Sequence, residues 1–149
     1  MIFDDRLEFM DNAAVTASGT ATTLEGDVID ITTSRDWGMG EQLYCIIQVT
    51  TSFTSGGSAI CTFKIQSDAA AAIAVDGSAT EHASTAATAV ARSESAGTRF
   101  ILPIGVGKTF ERFVGLTLGT SGAALTAGKI DAFLTKDPVG WTAYADATN

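Results

Sequence analysis

The sequence predicts an all-β fold, an antiparallel jelly-roll-like β-sandwich with extended terminal arms. Three observations point there: runs of alternating apolar and polar residues recur along the chain, glycine-rich polar turns separate them, and threonine fills much of the outward parity, as half-solvated strands prefer. Roughly seven or eight strands with almost no helix suit an architecture that closes most of its own edges.

The elements follow in order. The opening "MIFDDRLEFMDNAAVTASGTATTLEGDVIDIT" mixes short apolar runs with acidic and small polar residues, so residues 1–26 read as an extended segment and candidate arm, with a short strand near 27–32. "SRDWGMGEQ" is a turn punctuated by Gly38 and Gly40. "LYCIIQVTTSF" then alternates Leu43, Cys45, Ile47, Val49 and Phe53 against Tyr44, Gln48, Thr50 and Ser52, the clearest strand in the chain. After "TSGGS", "AICTFKIQS" turns Cys61, Phe63 and Ile65 inward, so 43–53 and 59–67 read as a hairpin.

Residues 68–97 are rich in Ala, Ser and Thr without a decisive period. Propensity allows a short helix at Ala69–Ala74, but Gly77 and the flanking strands favour a long surface excursion, with strand character returning near Ala86–Arg92. "TRFILPIGV" and "RFVGLTLG" supply two more strands, and "KIDAFLTKD" follows a glycine-rich turn to form a second hairpin with the latter. The tail, 137–149, is a second candidate arm, too short to build anything alone.

The chain's 149 residues, 46% of them hydrophobic, fit one domain spanning 1–149 with a real core. Seventeen acidic residues against nine basic give a net charge of −8, which opposes docking on a nucleic-acid backbone or an anionic membrane. No run approaches the roughly 18–20 apolar residues of a membrane helix. Asp4 and Asp5 stand where a secretory signal would carry basic residues, so synthesis and retention in the cytosol are expected.

"GVGKT" at 105–109 imitates the end of a phosphate-binding loop, but the position five before Gly107 is Leu102, and the following segment alternates as a strand. A solvated connection between strands is the better reading. The carboxylates are scattered, His82 is the sole histidine and is expected to be exposed, and no C-x-x-C, H-E-x-x-H, calcium loop or G-x-S-x-G occurs. We therefore expect no catalytic, metal or cofactor-binding residues and no enzyme activity. Cys45 and Cys61 read as two small buried side chains, about 20 Å apart along the strand in the hairpin register and so too distant to bridge.

Interface candidates remain. Arg35 and Trp37 in "RDWGMGE" are residue types that dominate interface energetics, although Trp37 equally suits a cap on the core. Trp141 and Tyr144 in the tail have the stronger claim to a partner surface.

Several phrases line up with one family. "DDRLEFMDNAAVTAS", "VIDIT", "RDWGMGEQLYCIIQV", "TSGGSAICTFKIQSD" and "LPIGVGKTFERFVGLTLGTSGAALTAGKIDAFLTKD", in this order, resemble the capsid cement (decoration) proteins of tailed bacteriophages, typified by the Bordetella phage cement protein. The resemblance spans nearly the whole chain and is weak between 68 and 97. It implies a jelly-roll-like sandwich that forms homodimers, sits on the outer capsid surface of the virion after synthesis in the host cytoplasm, and bridges neighbouring units of the major capsid protein. It supplies no catalytic residues. Trimers follow the same logic in other decoration proteins, and a receptor- or carbohydrate-binding module of a phage tail or fibre is the alternative function.

Overall fold

Residues 5–15, 19–37, 40–89 and 95–138 are described by the structure, a computed structural model. After a single 3₁₀ turn at Asp5–Leu7 the strands run in chain order as β1 (Glu8–Ala14), β2 (Ala21–Asp30), β3 (Arg35–Asp36), β4 (Leu43–Ser55), β5 (Ile60–Asp68), β6 (Thr80–Ser84), β7 (Thr88–Ala89), β8 (Arg99–Ile104), β9 (Thr109–Phe110), β10 (Phe113–Ser121) and β11 (Leu125–Thr135). One sheet has the order β1-β11-β4-β8 and the other β2-β10-β5-β6, with β7 also on β5, while β3 and β9 form a small ribbon.

Setting the short strands aside, the first long strand pairs with the last, β2 with β10, β4 with β8, and β5 with β6, all antiparallel. This is the wrapping of a jelly roll, a long antiparallel ribbon rolled onto itself so that its two ends lie side by side. The expected fold class is therefore what forms. Inward residues of both sheets meet in one core, with Cys45, Ile47, Phe63, Ile65, Leu116 and Ile130 each 0 or 1% exposed. Burying a side chain of this kind stabilises the fold by roughly 1.5–3 kcal/mol for the larger ones.

The two expected hairpins are corrected. β4 and β5 are consecutive but lie in different sheets, and so do β10 and β11. Each glycine turn carries the chain across the sandwich, so Phe53 of β4 meets Phe63 of β5 edge-on through the core, ring centroids 6.2 Å apart. Alternation marks the inward parity, and a cross-sheet turn preserves that parity as well as a hairpin does. In-sheet partners come from far along the chain: β4 pairs with β11 and β5 with β10. The two crossing turns lie against each other, with Ser55 Oγ donating to Ala124 O at 3.0 Å.

The N-terminal stretch read as an arm contains β1 and the start of β2, each embedded in a sheet. Its pairing with β11 has register shifts between Glu8 and Met10 and between Met10 and Ala13, so Phe9 and Met10 are both buried and the period-2 signal is lost. No helix forms at 69–74, because the Asp68 carboxylate accepts the N–H groups of Ala70 at 3.2 Å and Ala74 at 3.0 Å and holds a turn. Ile73 is tucked in at 4% exposure. β6 was not foreseen, and the strand expected near 86–92 reduces to β7, with 90–94 outside the described residues.

Candidate interaction surface

The connections β2–β4, β5–β6 and β8–β10 and the exit of β11 share one end of the sandwich; the other end carries the two crossing turns. The sequence between β2 and β4 builds the first part. Thr32 takes a left-handed conformation at φ 69°, its N–H donates to Asp30 Oδ1 at 2.7 Å, and Thr33 N–H donates to Ile31 O at 2.8 Å, turning the chain off the sheet. β3 then pairs with β9, Arg35 opposite Phe110 and Asp36 opposite Thr109.

Phe110, 1% exposed, is the hub of this end. Trp37 meets its ring edge-on at 5.8 Å and 76°, and His82 of β6 lies flat on it at 3.8 Å and 21°. His82 Nε2 is 2.7 Å from Ser67 Oγ, which accepts the Glu111 N–H at 3.0 Å. Nδ1 is buried without a hydrogen-bond partner among the described residues.

The expectation of an exposed His82 is thus wrong: it is 8% exposed, because a register shift in the β5–β6 pairing and the arrival of β9 roof over an otherwise polar stretch. Burial lowers its pKa to about 4, with a smaller repulsion from the Lys108 charge.

Of the residues singled out in sequence, the structure brings Arg35 and Trp37 together here. Trp37 is half-buried against the core, the capping role, while Arg35 is exposed. Trp141 and Tyr144 lie outside the described residues, which end at Pro138. The exit of β11 is tied to the β3–β4 connection by the Lys136–Glu41 ion pair.

Sequence reasoning missed the exposed apolar side chains of this end: Leu7, Val75 and Val106, at 36, 44 and 52%. The signal for Val106 was its position between two glycines. The charges around it are mostly paired. Arg112 forks onto Asp30 at 3.0 and 2.8 Å and holds that carboxyl below the usual carboxylate range, and its guanidinium lies 4.8 Å over Phe113. Arg35 and Lys108 are in no ion pair among the described residues.

Lys108 ends the connection after β8 and Thr109 opens β9, with no helix starting there, so the phosphate-loop geometry is absent from this segment. Among the described residues no three His, Cys, Asp or Glu side chains are grouped to hold a metal, and no helix is long and apolar enough to cross a membrane. Cys45 and Cys61 are buried and form no disulfide.

A family model described as Bbp16 matches residues 9–134, from the second residue of β1 into the end of β11. The chain belongs to the Bbp16 family. That name points to a Bordetella phage protein, and the match is consistent with a phage protein. The Bbp16 match takes in both sheets and the Arg35, Trp37 and Val106 end, and stops short of the tail. No curated protein matches the chain.

Proposed function

We propose that this chain is a structural protein of the phage virion that binds the outer surface of the icosahedral capsid, bridges neighbouring capsomers and stabilises the mature, DNA-filled head. Its partner is the major capsid protein, and it acts as a homodimer without catalysis, cofactor or direct nucleic-acid contact. The observation that carries this reading is the Bbp16 match over the whole sandwich. The fold supports it, because a closed jelly roll offers a stiff body whose connections at one end are free to present a contact surface.

The physical role follows from linkage. A clip that contacts two capsid subunits binds only their closed arrangement and adds its binding free energy to that state. A dimer makes both contacts effectively intramolecular after the first, so release needs both to fail together. Free capsid subunits should bind weakly and the expanded shell tightly.

The test is the molar ratio of this chain to the major capsid protein in purified virions, by quantitative mass spectrometry. A ratio near one supports the shell-wide reading. A few copies per particle would replace it with a tail or fibre module, and absence from particles would end the structural reading.

A further inference from the structure

The turn between β8 and β9, "GVGK" at 105–108, has an apolar tip, a rigid base and two unpaired cations beside it. At the tip Val106 is 52% exposed, the highest of the large apolar side chains among the described residues. The glycines on either side give it no shielding, and a Cβ added at Gly107, where φ is +74°, would meet nothing within 4 Å. A turn whose only task is to reverse the chain in water is better served by Asn, Asp or Ser.

The base is fixed from three directions. Gln42 Nε2 donates to Ile104 O and to Leu43 O, clamping the end of β8 to the start of β4. On the far side β9 is paired with β3, and Phe110 is held between Trp37 and His82. The Lys108 stem packs over Gly105, where an added Cβ would lie 3.2 Å from its Cε. A β-branched tip on a fixed turn has little conformational entropy left to lose on burial.

The charges are the second, independent sign. In a chain of net charge −8, Arg112, Lys64 and Lys136 each have a carboxylate, yet Lys108 and Arg35 at this end, like Lys129 within β11, have none among the described residues. Both flank this turn: Lys108 closes it, and Arg35 stands opposite Phe110, two residues further on.

We propose that the 105–108 turn is a docking knob: Val106 enters an apolar socket on a capsid subunit, and Lys108 and Arg35 meet carboxylates at the socket's margin. This rests on the virion-shell reading above and names the surface through which the binding runs. Trp37, one of the interface candidates, is engaged with the core, whereas Val106 is half exposed.

The experiment uses capsid shells of the encoding phage prepared without this chain, to which the purified full chain is added back. Co-sedimentation measures retention, thermal unfolding reports folding, and sedimentation equilibrium reports self-association. Val106→Asp should lower apparent affinity about tenfold or more, as expected for losing one buried valine and burying a charge, with unfolding and self-association unchanged. Should V106D fold poorly, Val106→Ser provides the same readout with a gentler change. The double variant Arg35→Glu, Lys108→Glu should also reduce retention and flatten its dependence on salt.

Wild-type retention with equal retention of folded V106D or V106S overturns the knob while leaving the shell reading intact. Changed self-association with unchanged shell binding overturns it in favour of an interface between copies. Failure of the wild-type chain to bind shells removes the shell reading, and the knob with it.

Discussion

His82 lies flat against Phe110 at 3.8 Å while its Nε2 reaches Ser67 Oγ at 2.7 Å, so a single neutral imidazole joins β5, β6 and β9 at the capped end. Its pKa falls from 6.5 to about 4 because the ring is desolvated, and because Lys108 is near. Between these values the unfolded chain binds a proton that the folded chain does not, so this contribution to stability is complete above pH 6.5 and is lost as pH falls toward 4.

The full loss is on the order of 3 kcal/mol. Urea unfolding between pH 7 and 4.5 should show a falling midpoint in the wild type. In His82→Phe, which keeps a ring on Phe110, that fall should shrink, leaving the part near pH 4.5 that comes from Asp30, Glu41, Asp68, Asp76 and Glu81, whose hydrogen bonds and ion pairs hold their carboxyls below the usual range. An equal fall in both would assign it to other groups.

Gly128 of β11 has φ +152°, and an added Cβ would stand 2.3 Å from Phe53 Cδ1. Phe53 is 5% exposed and meets Phe63 edge-on in the core. Gly128→Ala should therefore cost about 2–4 kcal/mol by overpacking and backbone strain, read as a lower denaturation midpoint. A change within about 0.5 kcal/mol, the range of an ordinary surface substitution, would show that Phe53 can shift.

The sequence displayed its sheets unevenly, and the reasons are physical. Leu43, Cys45, Ile47 and Val49 alternate because one face of β4 meets the core, and that pattern survives any choice of neighbours. The neighbours themselves were hidden, since "TSGGS" serves a hairpin and a cross-sheet turn alike. Ile46 carried a faint warning: it stands on the outward parity yet is 0% exposed, so β4 is not a plain half-solvated strand.

Phe9 and Met10 concealed β1 because its irregular register buries both. His82 could not be placed from its own neighbours, since what buries it arrives from Phe110, 28 residues later. Trp37 was legible as either cap or anchor, and the position of Phe110 decides for the cap.

Cys45 and Cys61 line the core outside any disulfide at 0 and 1% exposure, and desolvation pushes the Cys45 thiol well above the ordinary range. Only the thiolate reacts. The folded chain should resist an excess of a thiol reagent at pH 8 and react at both cysteines in denaturant. Rapid labelling of the native chain would mean that the sandwich opens locally at β4 or β5.

Arg35 and Trp37 are two residues apart and should separate stability from docking. Trp37 packs half-buried on Phe110, so Trp37→Ala should cost about 2–4 kcal/mol and loosen the ribbon that carries Arg35. Arg35 is exposed and in no ion pair among the described residues, so Arg35→Ala should leave the unfolding midpoint within about 0.5 kcal/mol of wild type. Retention on capsid shells should fall in both: in Arg35→Ala through a lost charge, with a weaker dependence on salt, and in Trp37→Ala through a displaced surface, with the salt dependence kept. Unfolding curves beside co-sedimentation across a salt series make the comparison. A stable Trp37→Ala chain would place that ring outside the core and return it to the partner surface.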